Sequence, residues 1–309
     1  MKKTQKQIGI EYKLTGESIR GEVVSYHRKP EALKLNKTPH AVDIAGLKPA
    51  GVRQAIKIDG AVYESKFTIG FEVEKNNLHR GAVREYELFC GFERDGSCGY
   101  EAVTHILPLL PEGKWRTKVY DMMHKAEKII DDRYSPSNSS CGGHITIGVD
   151  GMNGAQINEH VRKYSGVVLA LFRHRLKNVY CGANRRMQVS GLSEYNSAPA
   201  GRGTYDYNGW HYKYQTALVK GDVLEFRLPS RFESVKQMMR RYELMYELVN
   251  FAVNVQGTQK AFFAKIRPII LSMYNGETDK ADKIFKYAVD FQNFINTGVI
   301  SEAIAQYLR

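Results

Sequence analysis

Two glutamates, Glu72 and Glu74, lie two residues apart in the run FTIGFEVE. His144 heads HITIGV, and Glu225 and Arg227 alternate through VLEFRLP. Successive side chains of a strand point to opposite faces. Ile69, Phe71 and Val73 therefore share one face of the first run, while Gly70, Glu72 and Glu74 share the other. In the second, Ile145, Ile147 and Val149 oppose His144, Thr146 and Gly148; in the third, Leu224, Phe226 and Leu228 oppose Glu225 and Arg227. Each strand has one wholly apolar face. Its polar face fits the solvated side of an antiparallel sheet, the commonest arrangement for such alternation. The residue types point elsewhere: a solvated face mixes Lys, Thr, Ser and Gln with Glu, whereas these faces carry Glu, Glu, His, Glu and Arg with glycine between. On one face the Glu72 and Glu74 carboxylates stand about 7 Å apart and repel by roughly 2 kcal/mol at an effective dielectric of 20. If the strands are neighbours, their acidic faces form a site that divalent cations would neutralise. Oxygen ligands with one imidazole suit Mg²⁺ or Mn²⁺ better than zinc or copper.

The elements that must position these residues are legible in outline. Before about residue 110 the chain reads as strands (IGIEYK, GEVVSYH, QAIKI, KFTIGFEVE, REYELFCGF) separated by Gly, Asn and Asp turn signals. From Trp115 to Asp132, Val119, Met122, Met123, Ala126, Ile129 and Ile130 recur at helical spacing, and SPSNSS ends the run. A second helix is expected over Ala155–Asn178, carrying Ile157, Val161, Val167, Val168, Leu171 and Phe172 on its apolar positions. Residues 180–210, rich in Gly, Asn, Tyr and Ser, read as a long polar loop of the kind that binds something. HYKYQTALV and DVLEFRLP, joined through Lys220-Gly221-Asp222, read as a hairpin. From Phe232 onward the chain reads as helices broken near Gly257, Asn275-Gly276 and Thr297-Gly298. The class is α+β.

Composition sets the outer limits. The 309 residues are 43% hydrophobic and 25% charged, which is globular rather than disordered, and the formal charge is +12. The longest apolar stretches, Gly166–Phe172 and Ile106–Leu110, fall far short of the roughly 20 residues that cross a bilayer. MKKTQKQIGIEYK lacks the apolar centre of a signal peptide, so a cytoplasmic, membrane-free protein is expected. Cys90, Cys98, Cys141 and Cys181 form no C-x-x-C pair, which implies reduced thiols rather than a zinc site or a disulfide framework. The basic excess fits nucleic acid, an anionic substrate or a solvated surface. It is locally strong in residues 1–70, where Lys and Arg are nearly twice as numerous as Asp and Glu.

Five short motifs in order resemble the amidoligases of the carboxylate-amine ligase superfamily, over most of residues 67–250. Thr68-Ile69-Gly70-Phe71-Glu72-Val73-Glu74 is similar to that family's G-x-E-x-E strand. Phe92-Glu93-Arg94-Asp95-Gly96-Ser97 followed by Gly99-Tyr100-Glu101-Ala102-Val103 resembles its D-G-S turn and the Glu-bearing strand after it. Cys141-Gly142-Gly143-His144-Ile145-Thr146-Ile147-Gly148 resembles C-G-x-H-x-H-x-G. Arg175-Leu176-Lys177-Asn178-Val179-Tyr180-Cys181 resembles R-x-x-N-x-Y-C, and Leu224-Glu225-Phe226-Arg227 the late E-F-R strand.

The resemblance implies an antiparallel β-sheet funnel of the glutamine synthetase type with flanking helices and a helical C-terminal region. It also implies ATP-dependent ligation, in which a carboxylate takes the γ-phosphate and an amine then displaces it from the acyl phosphate. On this reading Glu72, Glu74, Glu101, His144 and Glu225 hold Mg²⁺ or Mn²⁺ around the triphosphate. Glu72 and Arg227 serve the transfer itself, and Arg175, Arg185, Arg186 and Arg227 bind phosphate or the substrate carboxylate. Phosphoryl transfer needs positioning and charge neutralisation, which metals and a guanidinium supply without a protein nucleophile. The second histidine of the H-x-H strand is Thr146 here, so any phosphate contact made by that imidazole is lost or replaced.

The expected division is a basic extension over 1–60, a catalytic domain over 61–256 and helices over 257–309 packed on the same domain. The expected substrates are a carboxylate and an amine, as amino acids or peptides, with a homo-oligomer or assembly partner meeting the basic N-terminus or the C-terminal helices. The competing class is a catalytically altered relative that binds nucleic acid or serves an assembly. A metal-dependent hydrolase is a third reading, weakened by the lack of an H-E-x-x-H motif.

Overall fold

The computed structural model describes residues 54–58, 61–178, 216–220 and 223–308, apart from single positions at 84, 87, 96 and 105. The chain forms two compact units. The first runs to Gly151 and takes in Arg231–Met239; the second comprises Met152–Ser230 and Arg240–Arg309.

In the first unit, β1 (Gln54–Ile58) and β2 (Ala61–Ser65) make an antiparallel hairpin. The nine-residue β3 (Phe67–Lys75) organises the main sheet. After the short α1 (Arg80–Val83) come β4 (Phe89–Asp95), β5 (Gly99–Thr104) and the two-residue β6 (Leu107–Pro108). Helices α2 (Lys114–Lys125) and α3 (Glu127–Ile130) precede β7 (Ile145–Val149). Every pairing is antiparallel: β4 with β5, β5 and β6 with β3, and β3 with β7. The strand expected over Arg84–Phe92 begins only at Phe89, because the chain first closes a turn in which Phe89 N–H donates to the Tyr86 carbonyl.

The register fixes the faces. Val73 stands opposite Ala102 and Lys75 opposite Tyr100, whereas Glu72 stands opposite Val103 and Glu74 opposite Glu101. The Ile69-Phe71-Val73 face is core, as its alternation requires, and Phe232 packs edge-on to Phe71 at 5.6 Å. Val119, Met123, Ala126, Ile129 and Ile130 of the α2–α3 segment are buried too, in keeping with their helical spacing. The opposite face is not solvated: Glu72 is 2% exposed and Glu101 4%, with Glu74, His144 and Thr146 equally buried. The ordinary reading of an alternating strand therefore fails here, since both faces lie inside.

The second unit is mainly helical. Its α4 (Gly154–Val161) starts at a capping box, with Gln156 N–H donating to Asn153 Oδ1 and Asn153 N–H to Gln156 Oε1, each 2.9 Å. The expected helix over Ala155–Asn178 is interrupted: 3₁₀ turns at Arg162–Tyr164 and Arg173–Arg175 flank α5 (Gly166–Leu171). The cause is a close backbone crossing. A Cβ on Gly166 would strike the Ala288 carbonyl and stand 2.8 Å from Gln292 N, while Gly166 N–H donates to Gln292 Oε1. Strands β8 (Ala217–Lys220) and β9 (Val223–Phe226) pair antiparallel, as the hairpin reading expects.

Helix α6 (Val235–Asn250) runs into a π turn at Phe251–Val255, followed by α7 (Gln259–Met273), α8 (Thr278–Thr297) and α9 (Glu302–Leu308). These breaks coincide with the expected ones; Gly276 (φ 85°) and Gly298 (φ 74°) take the left-handed conformation that ends a helix. No helix among the described residues is long and apolar enough to cross a membrane.

Candidate metal centre

The buried acidic face is held by three strands. β3 carries Glu72 and Glu74, β5 carries Glu101, and His144 immediately precedes β7, where its carbonyl accepts from Glu72 N–H at 3.1 Å. Glu74 and Glu101 are direct cross-strand partners, and such like-charged pairs destabilise a sheet unless something neutralises them. The His144 imidazole sits between two of the acids: Nδ1 is 2.6 Å from Glu72 Oε2 and Nε2 is 3.2 Å from Glu74 Oε1.

One ligand atom from each of Glu72, Glu101 and His144 lies within 4.8 Å of the others. Among the described residues it is the only such grouping of three or more acid, histidine or cysteine side chains. The donor set, two carboxylates and one imidazole gathered on a buried face, is of the kind that can hold a hard divalent cation.

Glu74 stands beside this trio and is positioned by the glycine-rich turn before β7. Gly142 N–H donates to its Oε2. A Cβ at Gly142 would stand 3.0 Å from Glu74 Oε1 and 3.1 Å from His144 Nε2, so the close approach of backbone to carboxylate needs a glycine. That is the physical content of Cys141-Gly142-Gly143-His144. Beside Glu74, Cys98 and Cys141 are buried free thiols, Cys98 Sγ donating to the Tyr100 carbonyl and Cys141 Sγ to Asn76 Oδ1. Interaction between the neighbouring thiols raises Cys98 well above its ordinary range and draws Cys141 down to about 7.

No family model and no curated protein matches this chain. The site therefore rests on its own geometry.

Of the five expected metal ligands, Glu72, Glu101 and His144 come together, with Glu74 adjoining. Glu225 lies on β9 of the second unit, fully buried, and pairs there with Lys220 and Arg227. Arg227, expected at the phosphate, is buried and its backbone N–H donates to the Thr216 carbonyl at 3.0 Å. Arg175 closes the 3₁₀ turn at Arg173–Arg175 in the same unit. Arg185 and Arg186, with the loop expected over 180–210, lie outside the described residues, as does the basic N-terminal stretch up to residue 53.

One functional neighbour was missed by the sequence reading. Lys75 continues the apolar face of β3 and is fully buried, and its ammonium donates to the Ile130 carbonyl (2.7 Å), the Phe232 carbonyl (2.8 Å) and Asp132 Oδ1 (2.7 Å). Burial lowers its pKa, partly opposed by Asp132. The signal was a lysine two residues after Val73, on a face otherwise made of Ile, Phe and Val.

Proposed function

We propose that this chain is an ATP-dependent carboxylate–amine ligase working with Mg²⁺ or Mn²⁺ on a glutamine synthetase-like sheet funnel. The observation that carries the reading is the convergence of Glu72, Glu101 and His144 on one buried face, with Glu74 held beside them. It joins the order of the five motifs, of which G-x-E-x-E, the Glu-bearing strand and C-G-G-H supply those four side chains.

On this reading Glu72 and Glu101 provide anionic oxygens and His144 one ring nitrogen to the cation, while Gly142 N–H fixes the orientation of Glu74. Bound divalent metal supplies charge neutralisation for the triphosphate and the phosphoryl group in transfer. The family resemblance assigns Arg227, Arg175, Arg185 and Arg186 to phosphate or carboxylate binding; within the second unit Arg227 pairs with Glu225. The buried face keeps water from an acyl phosphate, which would otherwise hydrolyse. The substrates are a carboxylate and an amine of amino-acid or peptide type.

The test is ADP release from ATP with Mg²⁺ or Mn²⁺ across a panel of amino acids, peptides and amines. Activity should require the metal and fall at least a hundredfold in Glu72→Gln. A protein that binds neither Mn²⁺ nor ATP would overturn the reading. Thr146, buried on the same face where the family pattern has a second imidazole, motivates the second reading, a catalytically altered relative. That reading predicts Mn²⁺ binding without ADP release.

A further inference from the structure

The reverse face of the same sheet carries a different kind of surface. Across β4 and β5 the register sets Phe92 opposite Ala102 and Arg94 opposite Tyr100, on the side that also holds Val73 and Lys75 and away from Glu74 and Glu101. There, an open depression of about 650 Å³ is lined by Asn77, His79, Arg80, Phe92 and Tyr134. Its volume lies within the range of small-ligand sites.

The walls are aromatic and the rim is cationic. The Arg80 guanidinium lies 4.5 Å over the Tyr100 ring and donates to its hydroxyl at 3.0 Å; Phe92 meets Tyr100 edge-on at 6.3 Å. The Arg133 guanidinium lies 4.5 Å over Tyr134, which is 41% exposed. Arg133 is already paired with Glu127 at 2.8 Å, whereas Arg80 makes no ion pair with a carboxylate among the described residues. The segment that carries Asn77 and His79 is anchored: Asn76 and Asn77 N–H donate to the Pro136 carbonyl and His79 N–H to Ser135 Oγ.

We infer that this depression binds a nucleotide unit, with the base stacked on Tyr134 and Phe92 and a phosphate held by Arg80 and His79. An exposed Tyr134 and a part-exposed Phe92 beside an arginine that has no carboxylate partner among the described residues are the elements that hold a base and its phosphate, and an open depression admits either a free nucleotide or one unit of a single strand. The +12 charge of the chain favours an anionic ligand. The inference does not depend on the ligase reading, because this site needs no metal and lies on the other face from the carboxylates.

The experiment uses the full chain in EDTA, where the acidic face has no cation with which to hold a triphosphate. Binding of a fluorescein-labelled ten-nucleotide single strand is followed by anisotropy, with unlabelled AMP as competitor. Tyr134→Ala should weaken binding roughly tenfold. Arg80→Ala should weaken it and lower the slope of log K against log salt by about 0.7. Glu101→Gln should change neither. Displacement by micromolar AMP identifies a mononucleotide site; displacement only by unlabelled oligonucleotide identifies a single-strand site. Tyr134 and Arg80 are exposed, so both variants should keep the wild-type circular dichroism spectrum. No binding of either probe, or binding that both variants leave unchanged, overturns the inference.

Discussion

Glu74 and Lys75 are neighbours in the chain, both are buried, and they point to opposite faces of β3 into surroundings of different kinds. The ammonium of Lys75 has three donors and meets three acceptors, two backbone carbonyls and Asp132, so the reverse face contains a complete charge structure. Glu74 faces Glu101 across the ladder, and one imidazole stands between it and Glu72. This side concentrates negative charge that a cation would relieve. The contrast lies in what surrounds each charge: on one face the acceptors come from the fold itself, and on the other carboxylates gather around one imidazole, the arrangement that supports the proposed cation.

The largest expected effect separates the two faces. Lys75→Met leaves two carbonyls without their donor and takes the ammonium from Asp132, which keeps only Ser137 and the more distant Arg231; it should destabilise the protein by about 3 kcal/mol, lowering the melting temperature by roughly 10 °C. Glu101→Gln, in metal-free buffer, should leave the melting temperature unchanged or raise it, because it removes one of two opposed charges. On the proposed function Mn²⁺ should raise the melting temperature of the wild type, and Glu101→Gln should abolish that rise. Parallel thermal unfolding of the two variants with and without Mn²⁺ measures both. Equal destabilisation by both substitutions would erase the distinction between the faces.

A smaller effect sharpens it from the acidic side. Gly142→Ala places a methyl group 3.0–3.1 Å from Glu74 Oε1 and His144 Nε2, so these side chains must shift by a few tenths of an ångström. The expected stability loss is about 1 kcal/mol, while Mn²⁺ affinity measured by calorimetry should fall roughly tenfold, as when an outer partner of a metal ligand is disturbed. A stability loss with unchanged affinity would make Gly142 a packing residue only.

What could be read in advance follows from the range of the interactions. Alternation along β3 and β7 is local, and it marked Glu72, Glu74 and His144 as residues of one kind of face. Glu101 entered through its motif, since no local pattern announces that it will stand opposite Glu74. That register links residues 27 apart and is set by how the intervening β4 and its turn pair. Alternation alone does not show the burial of the acidic face, since it is the same whether a face meets water or protein; only the residue types, Glu, Glu and His with glycine between, argue against a solvated one. Gly166 teaches the same lesson in the second unit: its helical period was correct, and the break came from a backbone 122 residues further along the chain, at Ala288. Lys75 was overlooked because a lysine is ordinarily solvated, and only the acceptors at Ile130, Asp132 and Phe232 make its burial tolerable.

The smallest expected effect is a pH dependence confined to the reverse face. Burial pushes the Asp132 carboxyl upward, but hydrogen bonds from Lys75 and Ser137 outweigh it and hold the group below the ordinary value of about 3.9. Between those two values the unfolded chain binds more protons than the folded one, so stability rises with pH. Asp132 therefore contributes its full share above about pH 4 and loses it as the pH falls through the folded value. Lys75 acts at the other end: its folded pKa lies below about 10.4, the folded state releases the proton first, and stability again rises with pH through that window. In urea unfolding from pH 6 down to pH 3, Asp132→Asn should show a shallower acid loss than the wild type, with its stability deficit narrowing toward pH 3. A deficit that stays constant across that range would show that the carboxylate form of Asp132 does not hold Lys75, and the reverse face would lose its standing as a self-contained charge structure.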